Sequence, residues 1–409
     1  MLNKSQITFG KNHIWHPYTS LEDPLPVYEV ESAEGVHISL ATGQKLVDGM
    51  SSWWCAIHGY NHPKLNEAVS HQLSKMSHIM FGGITHEPAV LLCQKLVEIT
   101  PAPLDKVFLC DSGSIAIEVA IKMALQFFHN QGNTKRRKIL AFADAYHGDT
   151  FGAMSLGAPS SFNAPFQDML FEVEFLPNPQ DEQACHAAMS AVNEDEYAAF
   201  IFEPLIQGAG GMKMYEASTL DALIREAHKK GILCIADEIM TGFGRTGKWF
   251  AMDYLEEKPD IVCFSKGLGA PVGSVMLSTK DRVAKARVWR KRYGAGMRQV
   301  GLLAAGAHYA LDNNIPRLSE DHRRAKEIAV AIAAIDASLI DPATVETNIV
   351  GLDLAALPIT AAELAQRCRD AGLWISALGP KYARLVTHLD FDDAQCQEAI
   401  EILMKALVA

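Results

Sequence analysis

The sequence predicts an α/β protein: a large domain built on a mostly parallel central sheet, and a smaller α+β domain. The first observation is the length of 409 residues, enough for about two to three domains. The second is the composition, because 49% hydrophobic and 21% charged residues are ordinary for a globular protein and exclude disorder or a fibrous repeat. The third is the alternation of apolar runs with helical patterns between about residues 51 and 290, which is typical of βαβ units.

The domain limits follow from these patterns in chain order. Residues 1–50 contain short strand-like pieces and belong to the smaller domain, residues 51–300 form the large domain, and residues 301–409 complete the smaller one. The C-terminus is an amphipathic helix behind Asp392, because apolar residues recur there with helical spacing. Helices are predicted at 64–77, 88–99, 115–129, 217–230, 300–312 and 319–335, and strands at 107–109, 139–142, 198–202, 232–236, 261–264 and 275–277.

Charge and cysteine usage limit the partners and the compartment. The 37 basic and 48 acidic residues give a net charge of −11, which argues against nucleic acid or an anionic membrane as the main partner. The longest apolar run, 328–335, is far shorter than the ~20 residues of a membrane span. The 8 cysteines are scattered without a C-x-x-C pair, so neither a disulfide framework nor a zinc site is expected. We predict a soluble cytoplasmic protein without a secretory leader.

A small turn before a predicted helix is a candidate phosphate site. Gly113 and Ser114 follow a strand that ends near Cys110, and a helix begins with them. The free backbone N–H groups and the positive end of a helix can hold a phosphate. Taken alone, the same pattern is more often a simple helix cap.

Three other strand ends carry residues with complementary chemistry. Asp237 ends an apolar strand and can pair with a protonated ring nitrogen, although an isolated acid there is more often a solvated loop residue or a cap. Lys266 follows the strand at 261–264 and can form an imine with an aldehyde. Tyr146 can stack on a planar ring. Because ligands bind at the carboxyl ends of strands in open α/β sheets, these features together predict a pyridoxal-phosphate pocket.

Long motifs in the first two thirds of the chain resemble one enzyme family. Residues 1 to about 262 resemble the biotin-pathway aminotransferases that convert 8-amino-7-oxononanoate to 7,8-diaminononanoate with S-adenosylmethionine as donor. The resemblance implies fold type I, pyridoxal phosphate bound by Gly113, Ser114, Tyr146 and Asp237, and substrate contacts from Tyr18, Trp53, Trp54 and Tyr146. The matching motifs are His13–Ser20, Asp48–Trp54, Ala56–Pro63, Met80–His86, Tyr146–Ser155, Glu203–Met212 and Thr241–Lys248.

From about residue 263 onward the chain resembles a second family, the low-specificity L-threonine aldolases. These also use pyridoxal phosphate, but they split β-hydroxy amino acids into glycine and an aldehyde. The resemblance is carried by Gly267–Ser274, Trp289–Lys291, Gly296–Gln299 and Arg384–Asp390. We therefore interpret the chain as a hybrid whose two parts join near Lys266.

The change of family alters two expected contacts. The aminotransferase segment that supplies a phosphate ligand from the neighbouring subunit is missing, and Arg298 is the candidate replacement. The aminotransferase's carboxylate-binding arginine follows a Trp-Ile pair, but Ser376 follows Trp374 and Ile375 here. Arg384 resembles the aldolase's carboxylate-binding arginine instead. We expect a homodimer acting on small molecules by amino transfer; the alternatives are threonine aldol cleavage and an inactive hybrid that binds the cofactor.

Overall fold

The fold is described from a computed structural model. It describes residues 2–14, 16, 26–77, 79, 81, 83–159, 163–269, 274–282 and 300–408. The chain divides into two compact units. The small unit contains residues up to Ser51, His58–His62 and Arg323–Ala409, and the large unit contains Ser52–Ile57 and Pro63–His322.

The strands are short and fall in both units. In chain order they are β1 (Val30–Glu34), β2 (His37–Leu40), β3 (Lys45–Asp48), β4 (Leu104–Cys110), β5 (Lys138–Phe142), β6 (Val173–Leu176), β7 (Tyr197–Phe202), β8 (Ile206–Gln207), β9 (Lys213–Met214), β10 (Leu233–Glu238), β11 (Ile261–Phe264), β12 (Ser274–Thr279), β13 (Ile349–Asp353), β14 (Leu373–Trp374), β15 (Ser376–Ala377) and β16 (Tyr382–Val386).

Helices connect most of these strands, together with short 3₁₀ turns. The 3₁₀ turns are Ala164–Met169, Ala251–Tyr254, Lys266–Leu268, Ile315–Arg317 and Pro342–Thr344. The α-helices are α1 (Lys4–His13), α2 (Pro63–Lys75), α3 (Glu87–Ile99), α4 (Gly113–Asn130), α5 (Phe151–Ser155), α6 (Glu182–Ala191), α7 (Ala217–Lys229), α8 (Val300–Asn313), α9 (Leu318–Ala333), α10 (Ala361–Asp370) and α11 (Asp393–Val408).

The large unit is built on a seven-stranded sheet with the order β4-β12-β11-β10-β7-β5-β6. β12 runs antiparallel to both of its neighbours, and the remaining strands are parallel to one another. All residues of β7 and β10 are buried, as expected of parallel strands covered on both faces. This arrangement confirms the predicted α/β fold with a mostly parallel sheet.

The small unit has two sheets of its own. One has the order β1-β2-β3-β14, and the other has the order β13-β16-β15. Helices α9, α10 and α11 contribute apolar side chains to a separate core with Val350, Leu373 and Leu385. This is the α+β architecture expected from the sequence.

The structure differs from the sequence-based boundaries in one respect. The boundary predicted at residue 300 would place α8 in the small unit, but α8 belongs to the large one. It packs on α2 and α3, and Ala304, Ala307 and Leu311 join the core of the large unit. The boundary between the two units therefore falls between residues 322 and 323. Helices α1, α5 and α6 and strand β6 are additions to the predicted elements.

No helix in the described part of the chain is both long enough and apolar enough to cross a membrane.

Candidate functional site

The site begins with two residues on neighbouring parallel strands. Asp237 lies near the carboxyl end of β10 and is paired in register with Cys263 of β11. Lys266 starts the 3₁₀ turn immediately after β11. Since both strands run in the same direction, they bring this carboxylate and this amine to the same edge of the sheet.

Lys266 is a buried lysine. Burial lowers its pKa, the carboxylates of Asp237 and Glu203 oppose this change, and the guanidinium of Arg245 reinforces it. Its Nζ lies 4.9 Å from the centre of the Trp54 ring. A desolvated amine of this kind can give up its proton and act as a nucleophile or a base.

Asp237 is held by two hydrogen bonds from the residues around it. Its Oδ1 accepts a bond of 3.1 Å from the backbone N–H of Ile239, and its Oδ2 lies 2.7 Å from Nδ1 of His147. Because an ionised carboxylate can only accept, Nδ1 carries the hydrogen. The other ring nitrogen of His147, Nε2, is buried without a hydrogen-bond partner among the described residues. His147 therefore orients Asp237, as expected of a structural histidine.

Glu203 connects two loops at the same edge. It follows β7, and its two carboxylate oxygens accept backbone N–H bonds from Tyr146 at 3.2 Å and from Gly208 at 2.9 Å. Burial raises its pKa to about 7; Asp237 adds to this rise, and His147 opposes it. Glu203 thus fixes the backbone of Tyr146, whose ring is 41% exposed and whose hydroxyl donates to Asp149.

The amino end of α4 forms the phosphate side of the site. Ser112 caps the helix by accepting the N–H of Ile115, and the N–H groups of Gly113 and Ser114 belong to its first turn. The Ser114 hydroxyl accepts the N–H of Asp149 at 3.3 Å. A Cβ on Gly148 would lie 2.1 Å from that hydroxyl, so only glycine fits beside it.

The residues of this edge suit pyridoxal phosphate. A Cβ on Gly113 would lie 2.9 Å from Cδ1 of Ile239, two residues after Asp237, so the start of α4 and the end of β10 are in contact. The donor set therefore includes helix N–H groups for a phosphate, a carboxylate for a ring nitrogen and a buried amine for an aldehyde.

The two adjacent tryptophans lie on an unusual piece of backbone. Ser51–Trp54, here called the tryptophan turn, has positive φ at every residue: 52°, 43°, 58° and 73°. The turn is therefore left-handed, and its two aromatic rings diverge. Trp54 is 5% exposed and packs near Lys266, whereas Trp53 is 38% exposed. Trp53 is therefore the more accessible of the two rings.

Three predicted site residues do not appear in this group. Tyr18 and Arg298 lie outside the described residues. Arg384 belongs to the small unit, where it is buried on β16 between Gly351 of β13 and Ser376 of β15.

Two residues near the site, Arg245 and Ile239, were not predicted from the sequence to belong to it. Arg245 lies in a glycine-rich turn, where a surface ion pair is as good an interpretation as a functional role, but it is only 4% exposed. Ile239 is not among the predicted site residues, although its position two residues after Asp237 puts it at the same strand end. The signal for Ile239 was present in the sequence, while that for Arg245 was not.

Two family comparisons cover different parts of the chain. The family described as Aminotransferase class-III matches residues 18–291. The family described as Beta-eliminating lyase matches residues 260–355, overlapping the end of the first match.

The individual relatives carry the name of an aminotransferase. An adenosylmethionine-8-amino-7-oxononanoate aminotransferase from Synechococcus elongatus is 48% identical over 63% of this chain, and the alignment spans 63% of that protein, less than two thirds of its length. A protein of the same name from Corynebacterium glutamicum is 34% identical over 93% of both chains.

Solved structures extend the likeness to nearly the whole chain. The adenosylmethionine-8-amino-7-oxononanoate aminotransferase of Methanocaldococcus jannaschii is 27% identical, with a TM-score of 0.86 over 99% of both chains. An (S)-enantioselective omega-transaminase from Thermomicrobium roseum has a TM-score of 0.88 at 24% identity, which supports the fold alone.

Proposed function

Because this chain belongs to the class-III aminotransferases, we propose that it moves an amino group from S-adenosylmethionine to 8-amino-7-oxononanoate, giving 7,8-diaminononanoate with pyridoxal phosphate as cofactor. The names of its relatives at 34% to 48% identity support this substrate pair. The observation that carries the proposal is the buried Lys266 beside Asp237 at one edge of the sheet.

Each residue of the edge has a separate task toward the cofactor. When bound, pyridoxal phosphate supplies an aldehyde that takes up amines covalently and a ring that accepts electrons. The N–H groups of Gly113 and Ser114 would hold the phosphate, Asp237 would keep the ring nitrogen protonated, and Tyr146 would offer its ring for stacking. His147 and Glu203 act through Asp237 and Tyr146, whose positions they fix.

Proton movement is assigned to Lys266. Burial lowers the pKa of the Lys266 ammonium group. The neutral amine, which can accept a proton, is therefore more populated than for an exposed lysine. The amine would accept a proton from the donor's α-carbon and hold it at Nζ. Trp54 packs near Nζ and limits the access of water, while Trp53 forms a wall of the substrate site.

The remaining contacts of the proposal come from other parts of the chain. Tyr18 contacts the substrate, Arg298 binds the phosphate across the interface of a homodimer, and Arg384 binds a substrate carboxylate. The eight cysteines form no disulfide, which supports the cytoplasm as the compartment.

A second candidate function is aldol cleavage of threonine-like amino acids. It is favoured by the match of residues 260–355 to the beta-eliminating lyases and by the aldolase-like motif around Arg384. In this interpretation, the chain is a hybrid of an aminotransferase and a threonine aldolase. Arg384 clamps the carboxylate through two parallel hydrogen bonds.

One experiment separates these functions. The purified protein is incubated with S-adenosylmethionine and 8-amino-7-oxononanoate, and in parallel with threonine. Diaminononanoate in the first reaction supports amino transfer, whereas glycine and acetaldehyde in the second support aldol cleavage.

Trapping tests the cofactor independently of turnover. Borohydride reduction followed by peptide mapping is expected to label Lys266 with the cofactor. A labelled Lys266 without either product identifies an inactive hybrid that binds the cofactor. An unlabelled Lys266, with cofactor lost on dialysis, contradicts the proposed site.

A further inference from the structure

Glu118 connects the helix of the phosphate side to the segment that follows Tyr146. It lies in the second turn of α4, and its Oε1 accepts three hydrogen bonds from the start of α5. The donors are the Thr150 hydroxyl at 2.7 Å, the backbone N–H of Gly152 at 2.7 Å and that of Ala153 at 3.3 Å. One carboxylate therefore ties α4 to α5.

These bonds supply a cap that α5 does not have in its own sequence. Thr150 precedes α5, but its side chain makes no capping bond to that helix. The first N–H groups of a helix have no partner within it, so those of Gly152 and Ala153 need an acceptor from elsewhere. A carboxylate is favoured at this end of a helix because the helix dipole is positive there. The position of α5 therefore depends on Glu118.

The contact is close enough to require glycine at position 152. A Cβ on Gly152 would lie 2.3 Å from Oε2 of Glu118 and 2.7 Å from its Cδ. The φ of Gly152 does not lie in the left-handed region, so the backbone conformation itself does not demand glycine. The approach of Glu118 is therefore what excludes a side chain here.

The segment Tyr146–Thr150 is consequently held by carboxylates at both ends. At its start, Glu203 accepts the backbone N–H of Tyr146 at 3.2 Å. At its end, Glu118 accepts the hydroxyl of Thr150. Because Tyr146 is 41% exposed, packing covers only part of this residue. The position of its ring therefore depends on how well the backbone on either side is fixed.

We infer that Glu118 is a positioning residue that holds the segment Tyr146–Thr150 relative to α4, and that it thereby sets how firmly the Tyr146 ring stacks on the cofactor. The inference rests on the proposed function for the identity of the cofactor, pyridoxal phosphate. It assigns Glu118 no contact with the cofactor or the substrate. The effect of Glu118 reaches the cofactor through the backbone between Thr150 and Tyr146.

Two substitutions break this contact from opposite sides. Glu118→Gln removes the charge, whereas Gly152→Ala keeps the charge and displaces the carboxylate with a new methyl group. Each is expected to weaken the binding of pyridoxal phosphate by roughly tenfold, because charge-assisted hydrogen bonds are lost. The double variant is expected to bind about as weakly as either single variant, because both changes remove the same contact. Fluorescence titration with pyridoxal phosphate measures all three affinities.

Matched controls separate the contact from the general effect of each substitution. Asp221→Asn is the control for the lost charge, because Asp221 is likewise a carboxylate that accepts a backbone N–H, that of Glu257 at 2.9 Å. Gly379→Ala is the control for the added methyl group, because a Cβ there would meet no atom within 4 Å. Both controls are expected to leave the cofactor affinity within about twofold. Melting temperatures of all variants identify any that fold poorly.

A Tyr146→Ala background tests the route of the effect. If Glu118 acts through the Tyr146 ring, Glu118→Gln has no further effect on cofactor affinity once that ring is absent. A general loss of structure would act whether or not the ring is present. A weakening by Glu118→Gln that persists undiminished in Tyr146→Ala therefore overturns the inference.

Hydrogen exchange tests the contact without the cofactor. In cofactor-free Glu118→Gln, the peptide covering residues 146–153 is expected to exchange its amide hydrogens roughly tenfold faster than in the wild type, because two N–H groups lose their acceptor. Exchange at the wild-type rate contradicts the inference. Should Glu118→Gln fold poorly, Thr150→Val removes one donor to the same carboxylate and is expected to weaken cofactor binding by roughly threefold. Unchanged affinity in a folded Thr150→Val contradicts the inference as well.

The same titration distinguishes failure of this inference from failure of the proposed function. Wild-type protein that binds no pyridoxal phosphate contradicts the proposed function. Wild-type protein that binds it, together with a Glu118→Gln variant that binds it equally well, contradicts only the role of Glu118.

Discussion

Two buried aspartates at neighbouring strands, Asp237 and Asp260, differ in how their charge is compensated. Asp237 lies at the carboxyl end of β10, and Asp260 lies just before β11 at the amino edge of the same sheet. Their exposed fractions are 5% and 8%, and each lies beside a histidine. Residue type, burial and histidine contact therefore do not distinguish a site from a structural ion pair.

The difference lies in what compensates the charge. Asp260 accepts bonds from the Arg282 guanidinium at 2.5 Å and from the Cys234 backbone N–H at 2.7 Å, with His228 Nε2 at 3.4 Å. His228, Cys234 and Asp260 are near enough to one another, within 4.8 Å, to suggest a metal site. However, Arg282 already supplies a positive charge there. The structure therefore favours a fixed ion pair at this edge.

Asp237 is compensated differently. Its described hydrogen bonds come from a histidine and a backbone N–H, and the nearby cation is the amine of Lys266. That amine is a group whose charge can change. The comparison teaches that a buried carboxylate is a candidate catalytic group when its partner cation is reactive, and a structural one when its partner is a guanidinium.

Removing Lys266 should give the largest effect. Lys266→Ala is expected to reduce amino transfer by about 10⁴-fold or more, because both the covalent attachment and the proton carrier are lost. Single-turnover kinetics measures this, with Lys248→Ala as control, since Lys248 is an exposed lysine near Tyr254. Turnover within tenfold of wild type would exclude Lys266 as the reactive lysine.

Replacing the two aspartates tests the comparison directly. Asp237→Asn is expected to lower kcat by roughly 10²- to 10³-fold with little change in Tm, because it removes the charge opposite the ring nitrogen. Asp260→Asn should instead lower Tm by roughly 4–8 °C and leave kcat within about twofold, because it breaks an ion pair. Steady-state kinetics gives kcat and thermal unfolding gives Tm for both variants. The reverse assignment of effects would break the comparison.

Gly148 tests the phosphate side with a smaller effect. Gly148→Ala is expected to weaken cofactor binding by roughly tenfold, because the new Cβ meets the Ser114 hydroxyl and the backbone is strained. The control is Gly132→Ala, because Gly132 also has a positive φ (77°, against 127° at Gly148) but no neighbouring atom within 4 Å of its Cβ. Fluorescence titration with pyridoxal phosphate measures both, and equal weakening would point to strain alone.

His228 should show the smallest effect, and it depends on pH. The hydrogen bond that His228 donates to the Asp260 carboxylate raises the pKa of His228 above its ordinary value of 6.5; burial opposes the rise, and Glu257 supports it. The stabilisation is therefore complete below pH 6.5 and is lost as pH rises through the folded-state value. His228→Gln should lower Tm by roughly 1–3 °C at pH 6 and by less at pH 9. The control is His186→Gln, because His186 is only partly buried and lies beside Glu182 on its own helix. A larger loss at pH 9 than at pH 6 would contradict the assignment.

The sequence predicts the fold and one edge of the sheet because both depend on local patterns. Strands β7, β10 and β11 are short apolar runs, and Asp237 and Lys266 come at their ends. Parallel strands place such residues together without further information. The same reasoning fails for α8, because its spacing shows a helix without showing that its partners are α2 and α3.

The supporting contacts were not predictable for a related reason. Arg245 bonds to a carbonyl 191 positions away, and any residue type offers a carbonyl, so no pattern marks the partner. The left-handed backbone at Trp53 and Trp54 contains no glycine, so the sequence does not indicate it. Likewise, no pattern in the sequence pairs His147 with Asp237 or Glu203 with the backbone of Tyr146.

The left-handed backbone at Ser52 also bears on how the protein can evolve. With φ of 43° and ψ of 56°, this position would suit glycine better than serine, by about 1 kcal/mol. Selection for heat resistance would therefore favour glycine at position 52. The same replacement would give the backbone that carries the two tryptophans more conformational freedom. Replacement of this one residue would therefore change both the thermal stability and the rigidity of the segment Ser51–Trp54.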